Sequence, residues 1–205
     1  MKKQDTRNKK QKGLILDRDA KILRLVAKPI PQKDIGTKKL GDIIAKMKKA
    51  VRAEEDGVAI AAPQIGASLR MFVVKGGILP RHPVDQEHAQ ACSYLRRGNG
   101  DTVFFGAHGL LHPVDQVFIN PEMIKASKKK HKVEEGCLSV RYLYGAVDRH
   151  EKATITAYDE KGAKKTFGAS GLLAQIFQHE IDHLEGVLFT DKAENVRDLP
   201  PEKGS

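Results

Sequence analysis

Two segments of the chain carry apolar side chains at helical spacing, one on each side of a strand-like region. From Thr37 to Glu55, apolar residues recur at intervals of three and four, and charged residues cover the opposite face. The apolar positions of this first predicted helix are Leu40, Ile43, Ile44, Met47 and Val51. A second helix is predicted from Ser170 or Gly171 to Gly186, where a glycine can take the left-handed conformation that often ends a helix. Its predicted apolar side consists of Leu172, Leu173, Ile176 and Phe177.

The region between the two helices has the apolar runs and the alternation that are typical of strands. Residues 69–74, 117–121 and 153–158 are predicted as strands. A turn at Asp159–Gly162 connects the last of these to residues 164–167, so that the two segments form a hairpin. A mostly β region with one helix before it and one after it predicts an α+β domain.

At 205 residues, the chain is long enough to form one domain with a substantial core. We expect that domain to span residues 13–190, between a basic, disordered tail at residues 1–12 and a C-terminal tail at residues 191–205. Residues 76–114 interrupt the domain with a glycine-containing connection of little periodicity, which we interpret as an insertion.

The insertion contains the pentapeptide His-Pro-Val-Asp-Gln, which begins at His82 and recurs at His112. One repeat of this length does not indicate a solenoid. We interpret it as a local duplication that lengthened a surface connection, with a hairpin around Thr102–Phe105. The two histidines are therefore expected at the surface and not in a ligand set.

Composition limits where the protein works and what it binds. No apolar run approaches the ~20 residues of a membrane span, so no membrane insertion is expected. Two cysteines cannot build a disulfide framework, which favours a reducing compartment and a cytoplasmic protein. Much of the net charge of +10 comes from residues 1–12 and 125–132, interpreted as a solvated tail and loop. Aromatic residues are scarce, so stacking platforms for single-stranded nucleic acid are few. No specific DNA binding is predicted, although the charge suits work near ribosomal RNA.

The strongest chemical signal is the pattern His-Glu-x-x-His within Gln178–Gly186. Positions i and i+4 of a helix lie on one face, so His179 and His183 can bind one divalent metal together. Glu180 lies beside them and could take a proton from a metal-bound water. The pattern also occurs by chance in surface helices. Here both histidines align with the apolar stripe of the helix, where imidazoles without a ligand would be costly to bury.

A catalytic or structural metal would need at least one further protein ligand. Cys137 is the best candidate, because Gly136 before it lets the backbone come close and because acidic neighbours disfavour an ordinary core cysteine. Asp182 and Glu185 are the competing candidates, although Asp182 is too near along the helix to join both histidines easily. Two histidines and one cysteine would leave a fourth position for water, as catalytic centres do.

A segment rich in small residues, Asp56–Gly66, precedes the predicted strand at residues 69–74. Small residues allow the backbone to pass close to a neighbour, and Gln64 is a polar group on a turn constrained by a proline and a glycine. A tightly packed strand and loop would have the same composition. The residues alone leave both interpretations open.

Three motifs resemble, in order, the signatures of the peptide deformylase family: Gly57–Gln64, Glu135–Ser139 and Gln178–His183. The resemblance continues in three further segments, residues 22–31, 119–121 and 171–189. It implies an α+β deformylase fold, with antiparallel and mixed sheets around a central metal-binding helix. It also implies hydrolysis of the formyl group from N-formylmethionine at the start of newly made polypeptides.

The resemblance also implies a role for each matching residue. One divalent ion, Fe(II) by preference with zinc, nickel or cobalt as substitutes, would be held by Cys137, His179 and His183. Glu180 would take a proton from the metal-bound water and deliver it to the leaving amine. Gln64 and the backbone N–H of Leu138 would stabilise the oxyanion.

Substrate would bind around the same centre, again by resemblance. The expected substrate-binding residues are Val58, Ala59, Ile60, Glu135, Gly136, Leu172 and Ile176. Among them, three side chains would form an apolar pocket for the methionine: Val58, Leu172 and Ile176. The peptide backbone would add as an edge strand alongside residues 58–60.

Three positions need comment against the family's pattern. Ala59 stands where the first motif commonly has glycine, so its methyl group is expected to crowd the path of the peptide. Arg141 replaces a proline after the second motif. Arg149 lies where the family has an arginine that supports the acid of the second motif, here Glu135; the alternative is an ordinary exposed strand residue.

Two other functions are compatible with parts of the sequence. A His-Glu-x-x-His metallopeptidase would cut internal bonds, but no third histidine or glutamate lies at the downstream spacing that such enzymes use. A deformylase-like protein with weak or lost activity could bind formyl peptides, but Glu180 and Gln64 are both present. N-formylmethionyl peptides are therefore the expected partner, and the ribosome is a further one suggested by charge.

Overall fold

Two helices and two antiparallel sheets form the computed structural model, which describes residues 14–76 and 115–200. Helix α1 spans Lys38–Arg52 and helix α2 spans Gly171–Leu184. The strands are β1 Ala59–Ala61, β2 Met71–Val74, β3 Gln116–Ala126, β4 Lys130–Cys137, β5 Val140–His150, β6 Lys152–Tyr158, β7 Lys164–Ser170 and β8 Glu194–Asp198. Short 3₁₀ helices occupy Lys21–Arg24, Gln32–Asp34, Ala62–Ile65 and Phe189–Asp191. Within these residues, neither α-helix is long and apolar enough to cross a membrane.

Helix α1 confirms the first predicted helix. Thr37 caps its N-terminus, because the Thr37 Oγ1 accepts a hydrogen bond of 3.4 Å from the Leu40 N–H. Ile43 is only half-buried, whereas the other predicted apolar positions are buried in one core cluster: Leu40, Ile44, Met47 and Val51. The helix packs through this face on β1 and β2 and serves as scaffold.

The larger sheet has five strands in the order β1-β2-β3-β6-β7, and every neighbouring pair is antiparallel. The strands predicted at residues 69–74, 117–121 and 153–158 are confirmed as β2, β3 and β6. The predicted turn at Asp159–Gly162 joins β6 to β7, with Gly162 in the left-handed conformation at a φ of 82°. Strand β1 lies at one edge of this sheet, so one side of its backbone faces away from the other strands.

The two ends of the long connection between β2 and β3 lie next to each other. The two strands pair in register as far as Val74 and Gln116. Just beyond this pair, the Gly76 N–H donates a hydrogen bond of 3.0 Å to the Asp115 Oδ1. Several predicted features lie outside the described residues: the tail at residues 1–12, the hairpin around Thr102–Phe105, the first copy of the repeated pentapeptide and residues 112–114 of the second copy.

Phenylalanines at the centre of the core fix the position of helix α2 across the larger sheet. The Phe118 ring stacks on the Phe72 ring with a centroid distance of 4.6 Å. It also meets the rings of Phe167 and Phe177 edge-on at 4.8 and 5.2 Å. Such contacts between large buried rings are favourable, so Phe177 anchors the helix that carries the predicted metal ligands.

The smaller sheet consists of three antiparallel strands in the order β4-β5-β8. We predicted a tail from residue 191, but residues 194–198 form β8, so the folded part extends past the predicted boundary. All five side chains of β8 are exposed, so the strand is held by backbone pairing. Its sequence therefore lacks the apolar alternation from which a strand is predicted. The lysine-rich segment 125–132, predicted as a loop, instead ends β3 and begins β4. The two sheets and two helices confirm the α+β class.

Candidate active site

Helix α2 ends as predicted and presents both candidate histidine ligands to strand β4. Gly186, just after the helix, has a φ of 75°, and a Cβ atom there would lie 2.8 Å from the backbone of Arg24. Leu173 and Phe177 are buried in the core, as predicted, whereas Leu172 is 41% exposed. The buried apolar side is therefore narrower than predicted, because Leu172 lies in the wall of an open cavity.

Cys137, at the end of β4, forms a cluster with the two histidines. The Cys137 Sγ is 3.2 Å from the His183 Nε2, and one ligand atom each of Cys137, His179 and His183 lie within 4.8 Å of one another. In the described part of the chain, this is the one group of three such residues close enough to share an ion. Gly136 gives the strand the predicted close approach, since a Cβ there would lie 2.8 Å from the Tyr144 ring.

Buried charged groups fix the orientation of His179. The His179 Nδ1 is 2.9 Å from the Glu135 Oε2, which leaves the Nε2 of this imidazole for a metal. The Arg149 guanidinium donates hydrogen bonds of 2.7 and 2.8 Å to Glu135 and one of 2.6 Å to Asp182. Because Arg149 is 4% exposed, the interpretation as an exposed strand residue is wrong, and Arg149 supports Glu135 as the resemblance implied.

The two competing candidates for the third ligand are engaged elsewhere. Asp182 accepts hydrogen bonds from Arg149 and, at 2.7 Å, from Lys192. Glu185 accepts a hydrogen bond of 2.6 Å from Arg70. Neither carboxylate belongs to the cluster, so Cys137 is the third candidate ligand that the geometry supports.

Neighbouring cationic groups keep two groups of the site, the Glu135 carboxyl and the Cys137 thiol, ionised. Burial acts to raise the pKa of Glu135, but hydrogen bonds from Arg149 and His179 lower it to about 2. Burial also acts to raise the pKa of the Cys137 thiol, yet the neighbouring His183 and His179 lower it to about 5. A thiolate beside two imidazoles is a donor set that iron, zinc, nickel and cobalt ions accept. The residues present therefore fit a divalent metal.

Glu180 is a buried acid beside the cluster. It is 3% exposed, and its Oε2 has no hydrogen-bond partner among the described residues. Burial raises the pKa of this carboxyl to about 7, against the lowering effect of His179 and His183. A carboxyl with a pKa near neutrality can both accept and release a proton. A buried polar atom without a partner points to a group bound in the site, which is consistent with metal and water beside Glu180.

Gln64 lies between the edge strand β1 and the cluster. Its Oε1 accepts a hydrogen bond of 2.8 Å from the Ala61 N–H. Its Nε2 donates to the Cys137 Sγ at 3.6 Å and to the Ser139 Oγ at 3.2 Å. The side chain is 2% exposed and is held at both ends of its amide. Of the two interpretations of this segment, the structure therefore supports a polar group presented beside a site.

An open cavity of about 300 Å³ lies over the cluster. Most of the predicted site residues line it: Val58, Ala59, Gln64, Glu135, Gly136, Cys137, Leu138, Leu172, Ile176, His179 and Glu180. His183 lies beneath these residues and is 1% exposed. The structure thus assembles residues from β1, β4 and α2, which are far apart in the sequence, around one cavity.

Three of the predicted substrate-binding residues are largely engaged within the protein. Ile60 does not line the cavity, because its side chain is fully buried in the core that contacts α1. Glu135 lines it, but its carboxylate is bonded to Arg149 and His179, so its main effect is to orient His179. Ala59 lines the cavity but is only 5% exposed, because it packs in the core with the phenylalanines.

Several residues of the site were not identified from the sequence. Gln178 is buried, and its side chain bonds both the N–H and the C=O of His150, which ties α2 to β5. A glutamine on the buried face of a predicted helix was a signal for such a contact, because buried amides need partners. Tyr142 and Tyr144 also line the cavity, but nothing in their local pattern indicated this.

Comparison with known proteins finds the same family that the three sequence motifs resemble. The peptide deformylase of Symbiobacterium thermophilum is 37% identical over 183 residues, which are 89% of this chain and 67% of that protein. A solved peptide deformylase from Legionella pneumophila has a TM-score of 0.66 and 31% identity, covering 88% of this chain and 85% of that one. A peptide deformylase from Synechococcus elongatus in complex with actinonin has a TM-score of 0.65 and 28% identity, covering 88% and 78%. Residues 13–198 match the family described as polypeptide deformylase, and this chain belongs to that family.

Proposed function

We propose that the protein removes the formyl group from N-formylmethionine at the amino terminus of new polypeptides. The observation that carries this proposal is the candidate ligand cluster on the floor of the cavity, with the buried Glu180 beside it. Family membership supports the same reaction. The catalytic domain is proposed to span residues 13–190, extended by β8.

One divalent ion per chain is proposed to be held by Cys137, His179 and His183, with Fe(II) as the native metal and zinc, nickel or cobalt as substitutes. Such an ion polarises a bound carbonyl and lowers the pKa of bound water towards ~7. Thiolate ligation puts more negative charge on the ion than a third imidazole would, and it makes the site sensitive to oxidation. The buried pairing of Glu135 with His179 keeps that ring oriented for binding.

Glu180 is proposed as the proton carrier of the reaction. Its carboxylate would take a proton from the attacking water and deliver it to the amine that leaves, which a pKa of about 7 permits in both directions. The Gln64 side chain and the Leu138 backbone N–H would donate to the oxygen that becomes negative in the transition state. A donor of this kind is worth ~3 kcal/mol.

The substrate peptide is proposed to lie along β1, with its methionine side chain against Val58, Leu172 and Ile176. In an antiparallel pair, successive residues alternate between bonding the partner strand and facing away from it. Because the Val58 C=O accepts a hydrogen bond of 2.9 Å from the Lys75 N–H, the next residue, Ala59, directs its N–H and C=O to the free edge. That edge borders the cavity and could pair with an extended peptide.

The proposed place of action is the cytoplasm, close to the ribosome. The net charge of +10 supports attraction to ribosomal RNA, and exposed lysines at the end of β3, in the following connection and at the start of β4 contribute to it. Sedimentation with purified ribosomes that weakens as salt is raised would support this part of the proposal. No sedimentation at low salt would contradict it without affecting the reaction.

The experiment that tests the reaction is release of formate from a short formyl-Met peptide by protein purified without oxygen. Metal content is measured on the same sample. Turnover with about one metal ion per chain is expected from the three-ligand cluster. Bound metal without turnover would contradict the proposal and favour a protein that only binds formyl peptides. Cleavage of an internal bond instead of formate release would favour a metallopeptidase.

A further inference from the structure

An ion pair links the two walls of the cavity at its rim. Arg141, from the start of β5, and Asp56, from the connection before β1, both line the cavity. The Arg141 Nη2 is 2.7 Å from the Glu54 Oε2, and its Nη1 is 4.0 Å from the Asp56 Oδ1. The guanidinium therefore reaches from one wall towards acids of the other.

The backbone around Arg141 is built to hold it at this rim. Cys137 pairs with Val140, but Gly136 pairs with Tyr144, so residues 141–143 form a bulge on β5. At the centre of the bulge, Tyr142 has a φ of 65°, and its C=O accepts a hydrogen bond of 2.7 Å from the Leu199 N–H. The bulge is thus fixed on its outer side, while its first residue faces the cavity.

The rim ion pair is open enough to exchange partners. The side chains of Arg141 and Glu54 are 37% and 28% exposed, and ion pairs between partly exposed groups are weak. A guanidinium has five N–H donors in a fork that suits a carboxylate. In the described part of the chain, the ion-pair partners of this guanidinium are Glu54 and Asp56, which leaves N–H donors for a further acceptor.

Resting on the proposed function, we propose that Arg141 determines substrate specificity by binding a carboxylate of the peptide shortly after the methionine. The incoming carboxylate takes the place of Glu54 on the guanidinium. A substrate lysine is disfavoured at the same place by the positive charge of Arg141. The two rim acids, Glu54 and Asp56, already face this guanidinium at 2.7 and 4.0 Å, and the third nearby acid, Glu134, is paired with Arg197.

The experiment compares formyl-Met peptides with amidated C-termini, which carry aspartate, asparagine or lysine at the second, third or fourth position. The measured quantity is kcat/KM for formate release, expressed as the ratio of the aspartate to the asparagine peptide. In the wild type this ratio is expected to exceed one, by roughly twofold to fivefold, at one of the three positions. Arg141→Gln is expected to remove the preference, mainly through KM, and Glu54→Gln to increase it.

A matched control is available away from the cavity. Lys48 and Glu160 form an ion pair of 2.6 Å with side-chain exposures of 28% and 44%, close to those of the rim pair. Lys48→Gln changes the net charge as Arg141→Gln does, and it is expected to leave the aspartate-to-asparagine ratio at the wild-type value. A ratio that falls equally in both variants would assign the effect to net charge and overturn the proposal.

The two proposals fail in different ways. Equal ratios in the wild type, Arg141→Gln and Glu54→Gln, with normal turnover of the asparagine peptide, would overturn the role of Arg141 and leave the deformylase reaction intact. No turnover of any peptide by metal-loaded wild-type protein would overturn the proposed function and the specificity with it. Opposite changes in Arg141→Gln and Glu54→Gln support the proposal even if one variant is less stable.

Discussion

The inner end of the cavity and its rim are both held by an arginine and a carboxylate, but the two pairs differ in burial. Arg149 and Glu135, behind His179, have side chains that are 5% and 2% exposed. Arg141 and Glu54, at the rim, are 37% and 28% exposed. The inner arginine also bonds Asp182, so all three charged groups have partners within the protein.

This difference separates what the site must keep fixed from what it can vary. A buried charge without its partner is strongly destabilising, so the inner pair cannot open and keeps His179 in one orientation. At the rim, water can replace either partner at little cost, so a ligand can also replace it. We therefore expect the residues that carry out the reaction to stay fixed at the inner end of the cavity. Residues that select the substrate are expected at the rim, where ion pairs can exchange partners.

The largest effect is expected from Glu180→Gln at the inner end. The variant keeps the shape of the side chain but cannot carry a proton, so kcat for formate release should fall by about 10²–10⁴. Metal content should stay at the wild-type level, because Glu180 is not one of the candidate ligands. The control is Glu185→Gln on the same helix, which is paired with Arg70 outside the cluster. Metal lost together with activity in Glu180→Gln would show that its role is different.

The next-largest effect is expected in stability, when the same substitution is made at each of the two arginines. Arg149→Met should lower the free energy of unfolding by about 3–5 kcal/mol, because it removes the buried cation that Glu135 and Asp182 share. Arg141→Met should lower it by less than about 1 kcal/mol, since Glu54 can be solvated. Urea denaturation of both variants measures the difference. Similar losses in the two variants would remove the distinction between the inner end and the rim.

A smaller effect, on metal affinity, is expected from substitutions of two adjacent glutamates of β4. Glu135→Gln weakens the support of His179 and should reduce metal affinity by about 10- to 100-fold. Glu134→Gln changes the same charge one residue away, where the side chain is exposed and paired with Arg197, and should leave metal affinity unchanged. Competition with a metal chelator provides the measurement. Equal loss in both variants would indicate a general charge effect.

The smallest effect is a pH-dependent change in stability at the exposed ion pair between Arg24 and Asp191, which lies outside both regions. Burial acts to raise the pKa of Asp191, but hydrogen bonds from Arg24 and the Leu188 N–H lower it below its usual value. Its stabilising contribution is therefore present above the unfolded pKa of ~3.9 and is lost as pH falls through the lower folded value. The stability difference between wild type and Asp191→Asn should be constant from pH 7 to pH 5 and should shrink towards pH 3. A difference that grows on acidification would contradict this.

The sequence identified the chemistry best where the relevant geometry is local. His179, Glu180 and His183 are placed by the helical repeat alone, and the structure has the helix between Ser170 and Gly186, as predicted. For the third ligand, the neighbours of Cys137 made it the best candidate beside Asp182 and Glu185, and the resemblance to one family implied the same residue. For Arg149 two interpretations stayed open, because its partners Glu135 and Asp182 belong to other elements and no spacing rule connects them.

The sequence by itself therefore determined the α+β class, the amphipathic helices, four of the five strands of the larger sheet and the identity of the candidate ligands. Tertiary structure alone decided that Ala59 packs in the core, that β8 adds to β5, and that Arg141 meets Glu54 at the rim of the cavity. The reason is physical. Helical and strand periods record which side of one element is buried, whereas pairing at a sheet edge and ion pairs between elements depend on distances that no local pattern encodes.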